Sequence, residues 1–188
     1  MGLLREVENM IYTAQCASPL GVLLLAERDG ALTGLWMEGQ KYFPALTQEQ
    51  ARPCPDSPVL RAAGKWLDAY FAGERPEISA LPLSPEGSDF RRRVWEKLCA
   101  IPYGQVKTYG QIARELERER GMWSACARAV GGAVGRNPVS IIIPCHRVVG
   151  SNGSLTGYAG GVERKLWLLR REGADLSGLR VPEKGTAL

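Results

Sequence analysis

The sequence predicts a two-part chain: a small α/β unit with an antiparallel sheet, followed by a mostly helical unit that contains a helix-turn-helix. Three observations carry this expectation. Short apolar runs separated by turn residues occupy the first forty positions, the pattern of a strand meander. Residues 74–87 hold three prolines and little periodicity, as a linker would. After Ser88-Asp89 apolar residues recur every three or four positions, the period of a helix. The expected boundaries are 1–87 for the first unit with its linker, 88–175 for the second, and 176–188 for a mobile tail.

The apolar runs 10–17, 21–28 and 32–37 are read as strands, joined by Ser-Pro-Leu-Gly and Arg-Asp-Gly-Ala turns. Residues 40–56 are read as irregular. Leu60, Ala63, Trp66, Leu67 and Tyr70 lie on one face of a helix over 59–71, with Gly73 as its stop. In the second unit Phe90, Val94, Trp95, Leu98 and Cys99 mark a helix over 90–100. Thr108 is placed to cap a helix from 109 to about 119, and Ser124 a helix from 125 to about 134. The Gly-containing turn at 120–123 makes this pair a helix-turn-helix. A last helix is expected over 162–171, ended by Glu172-Gly173, with no apolar period after Asp175.

The helix starting near 125 is unusual. Ala127, Val130, Ala133 and Val134 are assigned to its inner face, and Arg128, Gly131, Gly132 and Gly135 to its outer face. Each helical glycine costs about 1 kcal/mol against alanine. Three on one face predict that something bulky approaches the backbone there, either another helix or a ligand. Charge points the same way. Residues 90–172 carry 15 Lys+Arg against 6 Glu, whereas the whole chain is only +4. The basic region is dominated by arginine, which suits phosphate, though a solvated basic surface has the same composition.

No apolar run approaches the roughly 20 residues of a membrane span, and the acidic N-terminus shows no secretory signal and no myristoylation pattern. Five widely spaced cysteines predict reduced thiols, hence a cytoplasmic chain, or a nuclear one in a eukaryote. They lack a Cys-x-x-Cys pair, and there is one histidine, so no zinc site is expected. That histidine directly follows Cys145 in Ile-Ile-Ile-Pro-Cys-His-Arg-Val-Val-Gly. A thiol with a pKa of about 8.5 needs a base to attack carbon at neutral pH. His146 is that base if the backbone turns or a water bridges the two side chains. Glu172 is the acid placed to orient the imidazole.

Pro144-Cys145-His146-Arg147-Val148-Val149 resembles the acceptor motif of the methylated-DNA–protein-cysteine methyltransferases, or O6-alkylguanine-DNA alkyltransferases. The resemblance runs over about eighty residues in the family's order. It takes in 90–95, Pro102-Tyr103-Gly104, Thr108-Tyr109-Gly110, Ala127–Gly131, Asn137-Pro138 and Gly157–Gly161. It implies a ribonuclease-H-like first domain and a winged-helix-like second one. It further implies a monomer that repairs double-stranded DNA containing O6-alkylguanine, and O4-alkylthymine, without metal or cofactor. By similarity Cys145 accepts the alkyl group once and irreversibly, His146 takes the thiol proton through a water, Glu172 orients His146, and Tyr109 protonates the leaving base. Asn137 links the helix-turn-helix to the cysteine segment. Ala127, Arg128, Ala129, Gly131, Gly132 and Gly135 face the DNA minor groove, with Arg128 filling the space of the flipped nucleotide. Tyr158, Ala159 and Gly160 wall the base pocket. Arg147 is assigned a structural or phosphate-contacting place. The chain departs from many relatives in having Ala159 where they carry serine, and from some in a longer link over 111–127. Other readings of the Cys-His pair are a DNA-damage sensor that keeps its effect without Cys145, and a Cys-His hydrolase active on esters or peptides.

Overall fold

The computed structural model describes residues 10–120 and 126–182, which form two compact units. The first comprises residues up to Glu86 together with Pro138–Ser140; the second comprises the remainder.

In the first unit β1 (Ile11–Ser18), β2 (Gly21–Arg28) and β3 (Ala31–Met37) form the expected antiparallel meander. The β2–β3 turn places Asp29 and Gly30 at φ 53° and 75°, the left-handed pair that a tight hairpin requires. Residues 40–56 are not wholly irregular. Ala51–Pro53 (β4) pairs parallel to β1, giving the order β3-β2-β1-β4. Pro53 sits in an edge strand, where its missing N–H costs no ladder bond. Helix α1 (Pro58–Ala72) starts at Ser57, whose hydroxyl accepts from the Leu60 amide, with Pro58 in the first turn, and ends at Gly73 in the left-handed conformation. It buries Leu60, Ala63, Trp66, Leu67 and Tyr70, the stripe read from the sequence. Leu23, Leu25, Leu32, Leu35 and Met37 of the sheet are likewise buried. Each such side chain contributes about 1.5–3 kcal/mol.

Residues 74–86 are not a free linker. Leu32 donates to Pro82 O and accepts from the Ser84 amide, Leu81 is buried, and Trp66 Nε1 donates to Glu77 O. Pro138–Ser140 adds a second bridge, with Leu35 N donating to Pro138 O at 2.8 Å and Ser140 N to Leu35 O at 2.9 Å. Proline-rich segments lack periodicity but still lend carbonyls to a sheet.

In the second unit α2 (Asp89–Cys99), α3 (Tyr109–Arg120) and α4 (Ala127–Gly135) pack on one another, and α5 (Val162–Arg171) follows. Ser88 caps α2, and Thr108 Oγ1 accepts from Gln111 N at 3.2 Å at the head of α3. Ser124 and the turn at 120–123 fall at or beyond the limit of the described residues. The N-cap of α4 is Cys126, which makes no side-chain cap bond. Val94, Trp95, Leu98, Ile112, Val130 and Ala133 are buried, and Trp95 Nε1 donates to Ala133 O. A two-stranded parallel pair joins β5 (Lys107–Thr108) to β6 (Val148–Val149).

Of the expected tail, residues 183–188 lie outside the described residues, and residues 176–182 depart from expectation. Leu176 and Leu179 pack against Val149, Leu155 and Leu169. Arg180 N donates to Gly153 O, and Leu155 N to Arg180 O. Two isolated leucines dock without any period. Gly153 has φ 79°, and a Cβ there would stand 1.9 Å from Gly178 O. Gly153→Ala is expected to cost this corner about 1–3 kcal/mol, and therefore to speed limited proteolysis within 176–182 by about tenfold.

Candidate active site

The site is built in the second unit from the chain that follows α4. Asn137, 4% exposed, donates its Nδ2 to Ile143 O at 2.8 Å and to Cys145 Sγ at 3.1 Å. One side chain thus ties the end of α4 to the sulfur. Ile141 is buried with φ 69°, a conformation that costs a β-branched residue about 1–3 kcal/mol. It turns the backbone into the cysteine segment. Cys145–Arg147 form a single 3-10 turn that hands the chain to β6. The adjacent cysteine and histidine therefore do not alternate as on a strand.

Cys145 is 4% exposed and His146 0%. Burial pushes the thiol up to about 11, against the opposing pull of the Asn137 bond and of Lys165. At neutral pH only about one thiol in ten thousand is then ionised, so attack on carbon requires a base. Burial also lowers His146, despite Glu172, and keeps the ring neutral. Its Nε2 lies 2.7 Å from Glu172 Oε1, and its Nδ1 is buried with no partner among protein atoms. A carboxylate only accepts, so the hydrogen is on Nε2 and Nδ1 carries the free lone pair. Burial works against the charge on Glu172, but bonds from His146 and Arg147 outweigh it and hold the carboxyl well below its usual range.

Tyr109, at the first position of α3, donates its hydroxyl to Thr156 O at 2.9 Å. Burial, reinforced by Cys145, raises its pKa and keeps it a proton donor. Tyr109 lines a cleft of about 590 Å³ with Gly110, Ala127, Arg128, Ser151 and Thr156. Arg128 is exposed at the head of α4. The sequence-predicted faces of α4 need two corrections. Ala127 is exposed, because it stands in the first turn, beyond the packed part of the helix. Gly135 is buried, because it closes the helix where α4 turns into Asn137. Ala129 is exposed, and Gly131 and Gly132 are half-buried. A Cβ on Gly131 would meet the Tyr109 ring at 3.8 Å, an ordinary contact.

Tyr158 is 5% exposed, packs edge-on to the His146 ring at 6.5 Å, and buries a hydroxyl that has no protein partner. Tyr158 and Ala159 do not line the cleft beside Arg128. Gly160 lines a different one of about 550 Å³, with Gly161, Val162, Arg164, Val181 and Pro182.

Of its two expected places, structural or phosphate-contacting, Arg147 takes the structural one, and Lys165 is the charged residue that sequence reasoning missed. Arg147 is 6% exposed and grips Glu172 with two nitrogens, Nε to Oε2 at 2.8 Å and Nη2 to Oε1 at 2.9 Å. It is enclosed in the site and does not face phosphate. Lys165 is fully buried, donates to Val148 O and Thr156 O, and is pulled down to about 8 by burial, with Cys145 opposing. Its signal was its spacing with Val162, Leu169 and Glu172 on one side of α5. Among the described residues no three His, Cys, Asp or Glu side chains cluster as metal ligands, and no helix is long and apolar enough to cross a membrane.

Two family models match this chain: the 6-O-methylguanine DNA methyltransferase ribonuclease-like domain over residues 11–85, and the DNA binding domain of the same family over 89–174. A methylated-DNA–protein-cysteine methyltransferase of Mycolicibacterium paratuberculosis is 46% identical, over 87% of this chain and 93% of its own length. Another, from Methanosarcina acetivorans, is 42% identical over 87% of this chain and 99% of its own. A crystal structure of Mycobacterium tuberculosis OGT in complex with DNA is 41% identical, with a TM-score of 0.74, covering 87% of this chain and 92% of that one.

Proposed function

The chain belongs to the 6-O-methylguanine DNA methyltransferase family, and from this we propose that it repairs DNA by moving an alkyl group from guanine O6 onto its own Cys145. The observation that carries the reading is a buried sulfur held by Asn137, next in sequence to a histidine whose Nε2 is bonded to Glu172 and whose Nδ1 is free.

The sulfur attacks the alkyl carbon in line with the bond to O6. The S–C bond forms as the C–O bond breaks, and the electron pair passes to the base. The thiol proton goes across a bridging water to His146 Nδ1, and Glu172 stabilises the imidazolium that results. Tyr109 releases Thr156 O and gives its proton to the departing guanine. DNA enters along α4. Ala127, Arg128, Ala129, Gly131 and Gly132 lie against the minor groove, and Arg128 takes the place of the base turned out into the protein. The basic surface meets phosphate, so binding weakens with salt. O4-alkylthymine presents the same alkyl-oxygen bond and is accepted as well. The thiolate of a thioether is a poor leaving group, which supports the reading that each chain acts once.

Incubation with DNA carrying a labelled methyl group at guanine O6 is expected to leave one label per chain on Cys145, and none on a Cys145→Ala variant. Retained DNA binding without label would instead make the chain a damage-recognition protein.

A further inference from the structure

The Glu172 carboxylate is saturated. Oε1 receives His146 Nε2 at 2.7 Å and Arg147 Nη2 at 2.9 Å; Oε2 receives Arg147 Nε at 2.8 Å and the Gly104 amide at 3.2 Å. The guanidinium is itself immobilised. Its Nη1 donates to Ile101 O at 2.6 Å, and its charge lies 5.6 Å from the Tyr103 ring centroid. Gly104 has φ 75°, and a Cβ there would stand 2.7 Å from Glu172 O. Only glycine lets this amide reach the carboxylate.

This grip has two consequences for the ring beside it. A carboxylate surrounded by donors has no lone pair left to hold a proton, so His146 must be the donor through Nε2. A bare carboxylate at hydrogen-bond distance would also favour the imidazolium over the imidazole, and an imidazolium is useless as a base. The charged and titratable groups around the ring are Cys145 on its own turn, Arg147 beside it, Lys165 and Glu172 from α5 and its end, and Tyr158 from the preceding loop; Tyr103 and Cys99 face Arg147. Of these Glu172 alone favours charge on the ring, and Arg147 and Lys165 oppose it. Arg147 touches the same carboxylate oxygen as the ring and offsets that one favourable charge at its source.

The geometry points to Arg147 as a positioning residue: by gripping both oxygens of Glu172 it keeps the carboxylate neutralised and holds His146 as the uncharged Nε2–H tautomer, with Nδ1 free to take a proton. The inference rests on the proposed alkyl transfer only for where that proton comes from; the state of the ring stands apart from it.

His146 is the only histidine in the chain, so ¹⁵N-histidine labelling of the full-length protein yields a single imidazole to observe. The expected wild-type spectrum shows a protonated Nε2 and an unprotonated Nδ1 throughout about pH 6 to 8. In Arg147→Gln the midpoint of the ring should rise by about one to three units, so that the doubly protonated form appears at a higher pH than in the wild type. The acid limb of the alkyl-transfer rate should move upward with it. Arg147→Lys keeps the charge but loses the fork, and should restore most of the midpoint while letting both tautomers appear. A wild-type ring that is charged or carries its hydrogen on Nδ1 would overturn the inference, as would identical titrations in wild type and Arg147→Gln. If Arg147→Gln does not fold, the wild-type spectrum and Arg147→Lys decide, and a single unchanged tautomer in Arg147→Lys overturns the role of the fork. A ring in the predicted state on a chain that takes no alkyl group would sink the proposed transfer and leave the assignment of Arg147 intact.

Discussion

His146→Ala is expected to slow alkyl transfer to Cys145 by about 10²–10⁴-fold at neutral pH, the usual worth of a positioned general base. The size of the loss follows from the thiol. Burial pushes Cys145 up to about 11, so without a base the reaction must wait for the rare thiolate. The pH dependence separates this explanation from simple misfolding. In the variant the rate should climb about tenfold per pH unit as thiolate accumulates toward its pKa. In the wild type the imidazole, whose pKa burial lowers, is already unprotonated at neutral pH, and its rate should be flatter there and fall only on acidification. Single-turnover transfer from a methylated oligonucleotide, followed over a range of pH, reads both curves. Equal slopes in the two proteins would remove His146 from the mechanism.

Glu172→Gln should have the largest effect on stability. The substitution leaves the Arg147 guanidinium buried beside a neutral amide, and breaking a buried pair in this way costs about 3–5 kcal/mol. Surface ion pairs such as Arg92 with Asp89 are exposed, and their loss should be scarcely measurable. Acid reaches the same point by titration. The Glu172 carboxyl is depressed in the folded chain, so its contribution to stability is fully present above the ordinary carboxylate range. It is lost as pH falls through that range toward the folded value. Urea unfolding at several pH values should show the wild type losing stability on acidification, and Glu172→Gln lower at neutral pH with a shallower acid dependence. Similar midpoints for the two proteins at neutral pH would mean that the Arg147–Glu172 pair contributes nothing net.

What could be read in advance was whatever is periodic or chemically singular. The α1 stripe of Leu60, Ala63, Trp66, Leu67 and Tyr70 emerged because every member takes its place from one helical repeat. Cys145 and His146 were visible because a chain with one imidazole places it beside a thiol. Segments stabilised by isolated contacts left no such trace. Ala51–Pro53 joins the sheet through three residues, one of them a proline. Residues 74–86 are held by backbone bonds to Leu32, and the stretch after Asp175 by two leucines and one bridge. Which of its two expected places Arg147 takes was not legible, because arginine is a surface residue unless paired and its partner Glu172 lies twenty-five positions away. Gly135 was assigned outward from angle alone. Its burial depends on where α4 stops, and local period does not reveal that.

The contrast between Cys126 and Cys145 decides what the chain loses to chance chemistry. Cys126 is open to solvent, whereas Cys145 is enclosed and overwhelmingly un-ionised. Oxidants and small electrophiles dissolved around the protein will reach Cys126 before Cys145, since susceptibility follows exposure. A brief colorimetric thiol count would report Cys126, and more slowly the partly exposed Cys16, Cys54 and Cys99, before the sulfur at the centre. Under the proposed alkyl transfer, burial would thereby keep the accepting sulfur in reserve until the alkylated base is delivered to it.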